Sequence, residues 1–142
     1  MVNGYGMIVG IGGDIIEVAL MRRRLSEFDN GFKGNIFTPN EISYCDSKRY
    51  PERHYAARFA AKEALFKALA LGKVDGMKWL DVEVARYPGG QPYLVLSGKT
   101  RELVERSSAG RVLVTLSHTE NWGMANVILE SANDVDVNKG IM

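Results

Sequence analysis

Two carboxylates and a short series of cations carry the chemistry this sequence can do. Asp14 follows Gly10-Ile11-Gly12-Gly13. An acid set by glycines at the end of a strand can face a metal ion, or it can cap the next helix by accepting backbone hydrogen bonds. Glu63 lies between Lys62 and Lys67, with Arg58 shortly before them. Glu63 and Lys67 have the i, i+4 spacing of a surface ion pair, worth about 0.3–0.5 kcal/mol. The functional alternative is that Glu63 gives an oxygen to Mg²⁺ while Arg58, Lys62 and Lys67 neutralise phosphates. Magnesium suits such a set, since it takes one or two carboxylates, keeps waters and completes its octahedron with phosphate oxygens. His118 is either a structural hydrogen-bonding residue or a ligand for phosphate or adenine. Its neighbour Ser117 points to the opposite face of a strand, which disfavours a serine hydrolase dyad.

Other site chemistries find no support. Gly10-Ile11-Gly12-Gly13 begins like a dinucleotide-binding turn, but the last glycine of that fingerprint is missing and no series of βαβ units follows. There is no H-E-x-x-H, Walker A or G-x-S-x-G motif.

The elements that must position these residues are readable in outline. Met7 to Ile11 is apolar and β-branched and reads as a buried strand ending in a glycine turn, with Asp14 at its end. A helix over Ile15 to Leu25 follows, its cationic Arg22-Arg23-Arg24 end matching the helix dipole. Thr38-Pro39-Asn40-Glu41 is a capping-box start for a short second helix. From about Pro51 to Leu71, before Gly72, the composition predicts a long helix. At about 100° per residue, its Ala57, Ala60, Ala61, Ala64 and Ala68 share one side and permit close packing. Arg58, Lys62, Glu63 and Lys67 spread over the other, among Tyr55, Phe59 and Phe66. Alternation from Leu80 to Ala85, a turn at Pro88 to Pro92, and Tyr93 to Leu96 predict a hairpin. Lys99 to Arg106 reads as a short helix, and Val112–Leu116 with Met124–Leu129 as a second strand pair joined through Ser117 to Trp122.

Composition narrows the class of protein. The chain of 142 residues fits one domain, expected over residues 1–130, with a polar, flexible tail over 131–142. A formal net charge of +1 argues against bulk attraction to nucleic acid or membrane. Cys45 is the only cysteine, which fits a reducing compartment. The N-terminal segment lacks a basic n-region and its apolar stretch is too short to span a bilayer. A cytoplasmic location is therefore expected.

The motifs taken together resemble the 4′-phosphopantetheinyl transferases of the holo-acyl carrier protein synthase type. The resemblance rests on Val9 to Ile15, the run Ala57 to Ala64 with Lys67, the turn Gly90-Gln91-Pro92, and Leu116-Ser117-His118-Thr119. It implies an α+β fold in which a long helix packs on an antiparallel sheet, and a homotrimer with active sites between subunits. The implied reaction moves 4′-phosphopantetheine from coenzyme A to a serine of apo acyl carrier protein and releases 3′,5′-ADP. By that pattern Asp14 and Glu63 hold Mg²⁺ against the pyrophosphate, with Lys62 and Lys67 assisting. Arg58 and His118 meet other parts of coenzyme A, including its 3′-phosphate, and Gly90 and Pro92 shape the nucleotide wall. The base that takes the serine proton is a metal-bound water, Glu63 or Lys62, the water ranking first because a metal lowers its pKa. Two positions depart from the pattern. Ala70-Leu71-Gly72 stands where the family has Gly-Thr-Gly, and Leu20 replaces a basic residue, with the arginines displaced to 22–24. The rival readings are a non-catalytic coenzyme A or nucleotide-binding module and a domain whose arginines dock an acidic protein.

Overall fold

The computed structural model describes residues 6–27, 31–70 and 76–132. The helix end expected at Leu71 and Gly72, and the tail beyond 132, lie outside these residues. In chain order the elements are β1 (Ile8–Glu17), α1 (Val18–Ser26), α2 (Phe32–Ile36), α3 (Pro39–Asp46), α4 (Pro51–Ala68), a 3₁₀ turn (Trp79–Asp81), β2 (Val82–Arg86), β3 (Pro92–Leu96), α5 (Gly98–Arg106), β4 (Ala109–His118) and β5 (Trp122–Ser131). Strands β1, β5 and β4 form an antiparallel sheet with β5 central, and β2 pairs with β3 as a separate hairpin. This is the expected α+β arrangement, with α4 laid across β1 and β5.

The packing of α4 follows from its alanines. Ala60, Ala61 and Ala64 are fully buried, Ala57 and Ala68 nearly so. Side chains this short let the helix backbone approach the sheet. The approach is close enough to decide what β1 can contain. A Cβ at Gly10 would collide with the Ala68 carbonyl oxygen, and one at Gly12 with that of Ala64. These glycines therefore lie inside a strand, and the expected turn at Gly12-Gly13 is not there. The strand runs on through Asp14 to Glu17, and the following helix begins at Val18 rather than Ile15.

On the other side of the sheet, Ile11, Ile15, Leu113 and Met124 are exposed. The core is divided around α4. One part joins Leu65, Val127 and Leu129 with the β2 and α5 residues Val82 and Val104. The second gathers Val18, Met21, Phe37, Cys45 and Tyr55 beneath α1 to α3. The capping box of α3 forms as expected, with Thr38 accepting from the Glu41 amide and Glu41 accepting from the Thr38 amide. Helix α4 ends with Ala70 at φ +59°, a left-handed conformation that normally favours glycine. Ser131 still belongs to β5. Helix α2 was not anticipated: its five residues include Gly34 and Asn35 and carry little helical signal.

Candidate functional site

Strand alternation aims Asp14 at α4, on the same side as Gly12 and Ile16. Lys67, on the last turn of α4, donates from Nζ to Asp14 Oδ1 at 2.8 Å and to the Gly13 carbonyl oxygen at 3.2 Å. The bond to Asp14 holds the Lys67 ammonium above its usual pKa against the cost of burial, with the charges of Asp14 and Glu63 adding to it. Glu63 lies one turn before Lys67 on the same helix, so two carboxylates from two elements act on one cation. The capping alternative for Asp14 falls away: the N-cap of α1 is Glu17, and no side chain caps that helix.

This donor set fits magnesium. It offers hard carboxylate oxygens from a strand and a helix around a point already occupied by positive charge. Among the described residues no group of three or more His, Cys, Asp or Glu could hold a metal, so the four-ligand pattern of a structural zinc site is not met.

A second cluster lies further up α4. Arg58 is 2% exposed. Its guanidinium stacks on the Tyr44 ring with Cζ 4.2 Å from the centroid, Nη1 donates to the His54 carbonyl oxygen at 3.4 Å, and the buried Nε has no partner. Arg86 from β2 approaches the same ring at 5.2 Å. His54 and His118 meet edge to face, centroids 4.6 Å apart. Together these residues line a cleft of about 220 Å³ that no carboxylate among the described residues lines. Burial, then His118 and the cations Arg58, Lys48 and Arg86, push His54 down to about 4. His118 is lowered by burial and by Arg53 and Arg58. Two neutral imidazoles between guanidinium groups make a site for an anion, which would supply the counter-charge the cleft lacks.

Lys62 is not brought to either cluster. Its ammonium is fully buried and donates to Glu41 Oε1 at 2.8 Å and to the carbonyl oxygens of Trp79 and Val82. Burial lowers its pKa and the Glu41 charge opposes the shift. Lys62, expected beside Glu63 at the site, faces inward instead: one residue from Glu63 on a helix is a turn of about 100°, and here that turn leads into the core. Gly90, at φ +97°, closes the hairpin turn with its amide on the Tyr87 carbonyl oxygen. Pro92 borders a different, wider groove, about 730 Å³, against the outer face of β4 and β5.

The family model of the 4′-phosphopantetheinyl transferase superfamily matches residues 10–125. The chain belongs to this superfamily. Among curated relatives it is 44% identical over 124 residues to the holo-[acyl-carrier-protein] synthase of Koribacter versatilis, covering 87% of this chain and 99% of that protein. It is 43% identical to that of Geobacter sulfurreducens, covering 87% and 98%. The crystal structure of holo-[acyl-carrier-protein] synthase from Neisseria meningitidis superimposes with TM-score 0.79 at 30% identity, covering 88% and 100% of the two chains. The Bacillus anthracis enzyme in complex with CoA (3′,5′-ADP) gives TM-score 0.73 at 34% identity, covering 89% and 99%.

For this phosphopantetheinyl transferase, sequence reasoning had missed His54, Tyr44 and Arg86 as parts of the cleft. The available signal was slight. His54 lies one helical turn before Arg58 and therefore shares its face of α4, which could have paired the two. Nothing local ties Tyr44 or Arg86 to Arg58, because α3 and β2 meet α4 only in the folded chain.

Proposed function

We propose that the chain transfers 4′-phosphopantetheine from coenzyme A to a serine of an apo acyl carrier protein, with Mg²⁺ held by Asp14 and Glu63, and that it works as a homotrimer in the cytoplasm. The observation that carries this reading is the Lys67–Asp14 ion pair within the field of Glu63, on the same helix as an arginine cleft whose lining residues include no carboxylate. The relatives' names and the coenzyme A complex of a similar structure support it.

In the reaction the serine oxygen bonds to the β-phosphorus and the bond from that phosphorus to the bridging oxygen breaks. The leaving 3′,5′-ADP takes the electron pair, and the serine proton passes to a base. When bound, Mg²⁺ supplies charge that stabilises the departing phosphate. Lys67 adds positive charge beside it. Arg58, Arg86, His54 and His118 hold a phosphate of the nucleotide half, the 3′-phosphate being the one distant from the reacting centre. Gly90 and Pro92 shape the wall against which the nucleotide lies.

Two surfaces support the assembly. The exposed apolar face of the main sheet, with Ile11, Ile15, Leu113 and Met124, is of the kind that self-association covers. For the carrier, the cationic end of α1 adjoins an apolar groove of about 420 Å³ lined by Leu20, Met21, Phe32 and Trp79. Arg22 and Arg24 there already pair with Glu52 and Glu27 at 3.3 and 3.2 Å in exposed positions, bonds weak enough to exchange for an acidic partner. Among the described residues no helix is long and apolar enough to cross a membrane.

The test is to mix the protein with apo carrier, coenzyme A and Mg²⁺ and weigh the carrier. A phosphopantetheine adduct is expected. Its absence, where a control synthase forms one, overturns the reading. Asp14→Ala that still binds coenzyme A but adds nothing to the carrier separates an enzyme from a mere binding module.

A further inference from the structure

The anion cleft stands on a buried ion pair. Glu41 is 1% exposed and Lys62 fully buried, and each has its hydrogen bonding filled. Glu41 accepts from the Thr38 amide, from Lys62 Nζ, and through Oε2 from the Val84 amide at 2.7 Å. Lys62 spends its three protons on Glu41, Trp79 and Val82. The pair thereby fastens three elements to one another: α3 through Glu41, α4 through Lys62, and β2 through Val82 and Val84.

Each of these elements carries a cleft residue on the same face. On α4, Arg58 precedes Lys62 by four residues. On α3, Tyr44 follows Glu41 by three. On β2, Arg86 follows Val84 by two. Those are the spacings that return to one face of a helix and of a strand. The inner layer of Lys62, Glu41 and Val84 is thus overlaid by an outer layer of Arg58, Tyr44 and Arg86, in which both guanidinium groups rest on the Tyr44 ring. Stacking of this kind depends on where α3 sits relative to α4 and β2. The ion pair sets that.

We propose that Lys62 is a positioning residue for anion binding: through its buried pair with Glu41 it holds Tyr44 between Arg58 and Arg86, and it touches neither coenzyme A nor the reacting atoms. The proposal rests on the transferase reading above for its kinetic readout and on the cleft alone for its binding readout.

The experiment compares the native chain with Glu41→Gln and with the double variant Lys62→Met/Glu41→Gln, which removes both charges together. In Glu41→Gln the lysine keeps its charge without a counter-ion and α3 shifts, so the KM for coenzyme A and the Kd for 3′,5′-ADP rise by about tenfold or more while kcat stays within about threefold. In the double variant no charge is stranded, but the bonds of Lys62 to Glu41, Trp79 and Val82 are gone, so both constants stay raised by about tenfold while kcat stays within about threefold of native. A purely structural role would reduce the folded fraction and leave KM and Kd unchanged. A catalytic role would give a folded double variant with native KM and kcat lowered about a hundredfold or more. Either result overturns the proposal.

Should Lys62→Met prevent folding, Glu41→Gln retains the side-chain shape and carries the comparison alone. If the native chain transfers nothing, the function falls but the cleft is still read, by the shift of the His54 and His118 ring resonances on adding pyrophosphate. That titration is expected to need about tenfold more pyrophosphate in Glu41→Gln, and equal titrations would sink the positioning role.

Discussion

Two lysines on α4 each hold a carboxylate oxygen at 2.8 Å, yet they do opposite things. Lys67 with Asp14 is 53% and 15% exposed, whereas Lys62 with Glu41 is 0% and 0%. Distance alone does not distinguish them. In the Lys67–Asp14 pair the ammonium is open to water, which can replace the carboxylate as its partner, so the bond costs less to open and Asp14 can be offered to a metal. In the buried pair neither charge can return to water without opening the core, so the bond is permanent while the protein is folded. One helix thus carries an exchangeable ion pair at the proposed chemical centre and a fixed one behind it.

The comparison is most sharply tested by removing each lysine. Lys62→Met strands the Glu41 carboxylate and is expected to destabilise the fold by about 3–5 kcal/mol, against less than about 1 kcal/mol for Lys67→Met. Equal losses in thermal unfolding would erase the distinction. Removing a carboxylate at the exposed pair should act on rate instead. Asp14→Ala or Glu63→Ala is expected to slow transfer by about a hundred- to a thousandfold, or 2.7–4 kcal/mol, a cost typical of losing one group that stabilises developing charge. Melting temperature should move little.

A third variant asks whether the close approach of β1 to α4 sets the exposed site. Gly12→Ala places a methyl against the Ala64 carbonyl oxygen and is expected to cost about 1–3 kcal/mol by overpacking, with slower transfer because Asp14 lies two residues along the same strand.

The smallest expected effect concerns acid, which the lysines do not explain. His54 falls from its ordinary 6.5 to about 4 in the fold, and His118 is lowered too. The unfolded chain therefore binds more protons than the native one between about 6.5 and 4, and stability drops as pH falls through that window. With the histidines only partly covered, screening leaves a loss of about 1 kcal/mol. Adding 3′,5′-ADP should reduce this loss, since an anion in the cleft favours the protonated imidazoles. Unfolding curves at pH 7 and pH 4.5, with and without the nucleotide, check both signs.

The α4 helix was legible because composition, capping proline and the alanine stripe all agree on it, and so were the capping box of α3 and the two hairpins. Gly12 misled for a physical reason. Read locally, glycine is a turn former, whereas here it answers a helix backbone that lies more than fifty residues away in sequence. The candidate site was legible as a set of residues and not as a geometry. Nothing in the spacing of Lys62, Glu63 and Lys67 says which lysine turns inward, because that depends on Glu41, and Glu41 is explained locally by its cap. His54 had only its helical spacing to Arg58 to mark it, because its significance comes from its contact with His118 on β4.

The glycine–alanine contact between β1 and α4 has one more consequence. Side-chain layers can slide or repack under load, but two backbones in direct touch behave like meshed gear teeth. Helix α4 cannot advance along β1 without forcing a carbonyl oxygen into a Cα. Asp14 rides on one member and Glu63 on the other, so the main chain limits how far the strand and the helix that carry them can slide past one another.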